Sequence, residues 1–154
     1  MNIQERAIFC IEKFSDVYPE AHELLKQHWQ EIAPYQDLFV LNPNTHFYLD
    51  TEKRGALFIV TARLNAKLIG YVVMIVAPHA HYKDVLMATD DIHFLHKDYR
   101  KSRIGLGMFR AAEGFMRDRG VKVMMLRTKA KHDHGAIFER MGYDLQDLVY
   151  TKRL

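Results

Sequence analysis

LHKDYRKSRIGLG, residues 95–107, is the stretch from which the fold can be read. An extended apolar approach, Ile92-His93-Phe94-Leu95, leads into a turn carrying Arg100, Lys101 and Arg103. Gly105 and Gly107 then open a strongly helical run from Met108 to Arg119. A strand that passes through a basic turn into a helix N-terminus is suited to holding an anion. The first-turn N–H groups have no intrahelical acceptor, the helix dipole favours negative charge, and glycine lets the backbone approach a ligand closely.

Downstream, Gly120 closes the helix and Val121 to Arg127 reads as a strand, giving a strand–helix–strand crossover that should be right-handed. Asp133 is placed to cap a short helix from about His134 to Arg140, which stops at Gly142, and Tyr143 to Leu154 reads as a final strand or strand pair. Upstream, Asp84 to Leu95 is a long strand preceded by a turn at Pro78 to Lys83. Leu57 to Arg63 and Leu68 to Val76 are strands joined by the hairpin turn Leu64-Asn65-Ala66-Lys67. At the start, Ala7 to Phe14 can be a strand, and Ser15 or Asp16 can cap the helix that follows. Ala21, Leu24, Leu25, His28 and Trp29 repeat as one helical face up to the stop at Pro34. Tyr35 to Leu49 is an aromatic loop with a short helix. Three meandering strands followed by a βαβ unit define an α/β (α+β mixed) fold around a mixed sheet, with ligands expected near the carboxyl ends of its parallel strands.

A chain of 154 residues is expected to form one domain over 1–154. No apolar run reaches the roughly 18 residues of a membrane span, the N-terminus lacks a signal-peptide shape, and Cys10 is the only cysteine. A cytoplasmic protein without disulfide, cysteine-ligated zinc or membrane association is expected. Residues 95–131 hold 11 Lys/Arg and 3 Asp/Glu, a net of +8, while the rest of the chain is net −5. Such clustering points to a polyanion at one place, either a phosphorylated cofactor or nucleic acid. The absence of a helix-turn-helix and of aromatics interleaved with the basic residues speaks against nucleic acid. His79 and His81 offer two metal ligands without a third, so no metal is expected.

The loop is not a nucleotide P-loop, because G-x-x-x-x-G-K-[ST] is absent, and Arg110 stands where the third glycine of a dinucleotide fingerprint would be. Instead Leu95-His96-Lys97-Asp98-Tyr99-Arg100, followed by Ile104-Gly105 and a helix containing Ala111-Ala112-Glu113, resembles the acetyl-CoA loop of the GNAT N-acetyltransferases, V-x-P-x-Y-R-x-x-G-x-G. Ile137 to Tyr143 resembles that family's F-Y-E-K-L-G-F segment. His81-Tyr82-Lys83, Asp91 to Leu95 and Tyr150 to Leu154 are similar to motifs of small phage and bacterial members. The resemblance implies a twisted, mostly antiparallel sheet flanked by helices, with two parallel strands splayed to form the acetyl-CoA cleft. It implies direct acetyl transfer from acetyl-CoA to a primary amine of a small molecule or protein, by a monomer or homodimer. The donor would lie on Phe94, Leu95, Arg100, Lys101, Ser102, Arg103, Ile104, Gly105, Leu106 and Gly107, with the oxyanion held by backbone near Phe94 and Leu95.

Two residues depart from the family pattern. Arg103 takes a glycine place, and Phe138 takes the place of a tyrosine that protonates the leaving thiolate, a role phenylalanine lacks the proton to fill. They motivate a second reading, a catalytically silent relative that binds CoA or a protein partner. For the base, strict alternation along the strand puts Asp91, His93 and Leu95 on one face and Asp90, Ile92 and Phe94 on the other, which makes Asp91 and His93 the candidates. Tyr143 and Tyr150 are candidates for the missing acid, although both also read as packing residues. Phe39, Phe47 and Tyr48 are expected to wall the acceptor pocket, with Asp37 or Asp50 as partners for a cationic amine.

Overall fold

The computed structural model describes residues 6–154. In chain order the elements are β1 (Ile8–Glu12), α1 (Phe14–Ile32), α2 (Thr45–Lys53), β2 (Leu57–Leu64), β3 (Lys67–His79), β4 (Tyr82–Leu95), a 3₁₀ turn (Lys97–Tyr99), α3 (Ile104–Asp118), β5 (Val123–Met125) and α4 (Gly135–Arg140). The five strands form one sheet in the order β1-β2-β3-β4-β5, antiparallel except for the β4–β5 pair. This is the mixed sheet expected from the sequence.

Alternation along the central strands divides the core between two faces. Val60, Ala62, Val72 and Met74 turn to one side and pack with Met108, Phe109, Ala112 and Met116 of α3 and with Phe138 of α4. Ile59, Tyr71 and Val73 turn to the other side and pack with Phe14, Val17, Ala21 and Leu24 of α1. The period of 2 in the strands and 3.6 in the helices thus bring two apolar helix stripes onto one sheet. Each fully buried large side chain in these layers contributes about 1.5–3 kcal/mol of transfer free energy. The β2–β3 hairpin closes through Asn65 and Ala66, both at positive φ (50° and 65°), as a two-residue turn of the primed kind requires. Arg63 braces this end, bonding Glu12 of β1 (2.9 Å), Glu20 of α1 (2.8 Å) and the Ala66 carbonyl (2.8 Å). The Arg63 guanidinium in turn holds the Glu20 carboxyl below its ordinary range.

Four sequence expectations are corrected. Neither Ser15 nor Asp16 caps α1. The cap position is Lys13, and the Phe14 amide is taken from a distance by Glu52 Oε1 of α2 at 2.6 Å, so a tertiary carboxylate does the work of a local cap. The strand expected over 121–127 pairs only over three residues. Asp133 is one residue outside the cap position of α4, held by His134, yet its Oδ1 accepts from the Gly135 amide at 2.7 Å. The segment expected as a final strand, 143–154, forms none, and its Leu145, Leu148, Val149 and Tyr150 are exposed. It has strand-like residues but pairs with neither edge of the sheet; Arg153 reaches back to Asp37 at 2.7 Å.

Candidate active site

The parallel pair is short. Met87, Ala88 and Thr89 of β4 face Val123, Met124 and Met125 of β5, and the ladder ends there. Beyond Thr89 the two strands part into a fork, while β4 continues to pair with β3 as far as Leu95. Within that ladder, His96 N–H donates to Ile69 O at 2.8 Å and Gly70 stands opposite Leu95. Leu95 is therefore a non-hydrogen-bonded position of the antiparallel pair, and its own N–H and C=O turn to the open edge inside the fork. The Leu95 carbonyl is accounted for by Arg100 Nε at 2.8 Å. Of the two residues expected to supply the backbone donor, Leu95 presents its amide to the cleft, whereas Phe94 belongs to the β3 ladder and is buried.

A bulge organises the side chains at the fork. The β3–β4 register slips between Val73 and Met74, so that Val73 faces Ile92 while Met74 faces Asp90, and Asp91 is the extra residue. An inserted residue reverses alternation beyond it. Asp91 and His93 are therefore not on one face, contrary to the sequence reading. Asp91 turns to the α2 side, where its Oδ2 accepts from the Tyr48 hydroxyl at 2.7 Å. His93 turns to the α3 side, against Phe109, Phe138 and His134, with ring centroids 5.2, 6.1 and 5.9 Å away.

The partner of His93 is Asp90, which strict alternation places on the opposite face of the strand. Asp90 is 2% exposed, and its Oδ2 lies 2.9 Å from His93 Nδ1. Its Oδ1 accepts from the backbone amide and Nε of Arg127, both at 3.1 Å, and Arg127 Nη2 donates to the Asp90 carbonyl. Asp90 thus bridges the root of the fork, tying β4 to the chain just past β5. An ionised carboxylate only accepts, so His93 Nδ1 carries the proton and Nε2 keeps its lone pair in the neutral ring. An Asp-x-x-His spacing at the end of a strand was the available signal, masked by the assumption of unbroken alternation. His134, half-buried beside His93, has its pKa lowered, first by burial and then by the positive charge His93 can carry.

The basic loop follows directly. Arg100 stacks over Phe94 at 5.1 Å and its Nη2 holds Glu31 of α1 at 2.8 Å. Ser102 Oγ donates to the Tyr99 carbonyl (2.6 Å) and accepts from the Ile104 amide (3.2 Å), shaping the entry into α3. Lys101 and Arg103 are exposed. Gly105 and Leu106 occupy the first turn, whose amides lack helical acceptors. Gly107 is accounted for by other contacts. Its amide donates to the Arg103 carbonyl (2.9 Å), and a Cβ there would come within 2.9 Å of the Phe9 ring, so this glycine lets α3 settle on β1. Another close approach is Gly70, where a Cβ would fall 2.8 Å from the Phe94 carbonyl.

On the α1 side of the fork lies a cavity of about 350 Å³, reaching from Ile92 and Lys129 to Trp29 and Phe39. His28 and Tyr71 sit within its wall, Nδ1 to hydroxyl at 3.0 Å, with His28 stacked on Phe94. Burial, and then the positive surroundings of His93, Lys129 and Arg100, lower the His28 pKa to about 4, so the ring is neutral at pH 7. Burial pushes the Tyr71 hydroxyl far up, and burial with Asp91 does the same for Tyr48. Phe39 and Tyr48 line this cavity as expected; Phe47, Asp37 and Asp50 do not. Asp37 pairs with Arg153 and Asp50 with His46, both at the surface. A larger depression of about 610 Å³ at the Leu86 end of β4 contains none of the fork residues.

A family model described as the acetyltransferase (GNAT) family matches residues 14–143. The chain belongs to this family. A search of curated proteins finds no match. Among solved structures, the GNAT fold recurs in a ribosomal-protein-alanine N-acetyltransferase from Brucella melitensis biovar Abortus 2308 (16% identity, 97% of this chain and 99% of that one, TM-score 0.70). It recurs in the aminoglycoside acetyltransferase meta-AAC0020 from an uncultured soil metagenomic sample (14%, 99% and 99%, 0.75). A GCN5-related N-acetyltransferase from Ralstonia eutropha JMP134 is similar at 13% identity, over 96% and 99%, with a TM-score of 0.75. At these identities the likeness establishes the fold. Within this GNAT chain, Phe138 is buried between Phe109 and His93. Tyr143 packs against Phe138 with its hydroxyl buried and, among the described residues, outside hydrogen-bond geometry, although burial, the larger cause, and a Glu113 carboxylate close enough to act on it push its pKa up. Tyr150 lies in the exposed C-terminal segment, away from the fork.

Proposed function

We propose that this GNAT protein transfers an acetyl group from acetyl-CoA to a primary amine, with His93 as the proton-transfer residue. The observation that carries the reading is the pairing, inside one fork, of an outward Leu95 amide with a histidine oriented by buried Asp90. Bound acetyl-CoA supplies a thioester carbonyl open to attack by an amine. The Leu95 N–H faces the place where negative charge would develop on that carbonyl oxygen, and preorganised donors of this kind stabilise such charge. The exposed Lys101 and Arg103 and the free first-turn amides at Gly105 and Leu106 suit the pyrophosphate.

His93 Nε2 takes a proton from the attacking amine, as imidazole commonly does in general acid–base catalysis. The tyrosine acid of other family members is replaced by Phe138, whose ring packs against His93 itself. The imidazolium formed when His93 accepts the amine proton then gives that proton to the departing sulfur. One side chain serves as base and then as acid, and the proton balance closes without a second residue. Asp90 acts as a positioning residue, holding the tautomer and compensating the imidazolium charge. Asp91, engaged by Tyr48, belongs to the acceptor side.

The test is calorimetry with acetyl-CoA together with thiol release over a panel of primary amines. Binding at tens of micromolar or tighter and turnover lost in His93→Ala are expected. No binding in that range would sink the proposal. Binding without turnover on any amine would instead favour the silent relative.

A further inference from the structure

We infer that the acceptor is a monoamine carried on an aromatic or bulky apolar body, and that polycations are poor acceptors. This rests on the reading of the chain as an N-acetyltransferase and deepens it. The cavity beside the fork has Trp29, Phe39, Leu25 and Val73 among its walls. Its volume, about 350 Å³, is at the small end of the range for ligand pockets, roughly 300–1,000 Å³. Lys129 is the only formally charged side chain among the described residues that line it. His28, the other titratable cationic group there, is held neutral. A polyamine or an aminoglycoside needs carboxylates to balance several ammonium groups, since an unpaired charge in an apolar site is costly. This wall offers none, and Lys129 adds repulsion.

The nearest acidic groups support the same conclusion. Asp91 already accepts from the Tyr48 hydroxyl, and Asp90 is committed to His93 and Arg127. One ammonium group can enter the fork between the Tyr48–Asp91 pair on one face and His93 on the other, while the apolar body fills the cavity behind it. Desolvation there also lowers the ammonium pKa, which helps produce the neutral amine the reaction consumes. The exposed apolar rim, Leu38 to Leu41, gives the mouth of the cavity the same character. Trp29 holds that rim by donating from Nε1 to the Phe39 carbonyl.

The chain has a single tryptophan, and it lines the cavity, so its fluorescence reports occupancy without acetyl-CoA. Titration with phenethylamine should change Trp29 emission saturably, whereas spermidine and kanamycin should bind at least about tenfold more weakly or not at all. In thiol-release assays with acetyl-CoA, phenethylamine should exceed spermidine in kcat/KM by at least about tenfold. Lys129→Glu should narrow that gap by admitting the polycation, and Phe39→Ala should weaken phenethylamine. Preference for spermidine or kanamycin in either assay, or a Trp29 signal indifferent to phenethylamine, overturns the inference. A saturable Trp29 response with the expected preference but no thiol release from any amine supports the pocket assignment and overturns only the transferase reading.

Discussion

Acidification should destabilise this protein through His28, and the effect can be sized from its surroundings. The ring lies 6% exposed between Tyr71 and Phe94, within the field of His93, Lys129 and Arg100, and its pKa is lowered to about 4. In the unfolded chain a histidine titrates near 6.5. Between these values the unfolded state binds a proton that the folded state refuses, so stability falls as pH falls. The loss begins as pH drops through 6.5, is steepest at about pH 5, midway between the two values, and levels off below 4. Integration gives about 2 kcal/mol lost between pH 7 and pH 5, and about 3 kcal/mol at the acid limit. The measurement is urea unfolding of the parent protein and of His28→Gln at both pH values. His28→Gln carries a direct cost at pH 7 from the altered Tyr71 bond, but it removes the titration. His134, whose pKa is also lowered, is present in both proteins and cancels in the comparison. The parent should therefore lose about 2 kcal/mol more than the variant between pH 7 and pH 5. If the two proteins lose the same amount, His28 is not a buried neutral ring, and the electrostatic account of the cavity wall fails with it.

Three further outcomes follow from the same structure. His93→Ala should lower kcat by about 10²- to 10⁴-fold while leaving acetyl-CoA affinity by calorimetry within about twofold; equal losses in both would place His93 in binding and not in proton transfer. Gly70→Ala should destabilise the protein by about 1–3 kcal/mol in urea unfolding, because its methyl group would meet the Phe94 backbone carbonyl, which cannot swing aside as a side chain can. Gly105→Glu should abolish acetyl-CoA binding by adding a carboxylate to the first turn of α3, with a circular dichroism spectrum unchanged from the parent; retained binding would move the donor away from this helix N-terminus.

What could be read in the sequence was what depends on local periodicity. Helix α1 announced itself by apolar residues at helical spacing, the β2–β3 hairpin by its turn, and the loop before α3 by its charge and glycines. What could not be read depends on pairs made at long range. The cap of α1 comes from Glu52, which no scan for Ser or Asp near residue 14 would find. His28 looked like one more member of an apolar helix face; its neutrality and its partner come from Tyr71, on a strand 43 residues away. Tyr143 to Leu154 had the composition of a strand, yet it adds to neither edge of the sheet.

The most instructive failure is at the site itself. Alternation is a sound rule only while strand and partner advance residue for residue, and at Asp91 β4 advances by one more than β3. That single insertion exchanges the roles of two adjacent aspartates. Asp90 becomes the buried orienter of His93, and Asp91 turns away toward Tyr48 and the cavity. The same insertion sits just past the last β4–β5 pair, where the strands begin to part. Bulge, fork and His–Asp pair are thus one local arrangement: the extra residue falls where β4 parts from β5, and it puts Asp90 and His93 on the same face. A chain with Asp91 deleted should restore the ladder with Asp90 opposite Met74 and His93 opposite Val72, both still on the α3 side, and it would remove the carboxylate that accepts from Tyr48. Such a deletion should raise the KM for the amine more than it lowers kcat, because what it removes is the Tyr48–Asp91 pair on the acceptor side and not the aim of His93; an equal or larger fall in kcat would refute that division of roles.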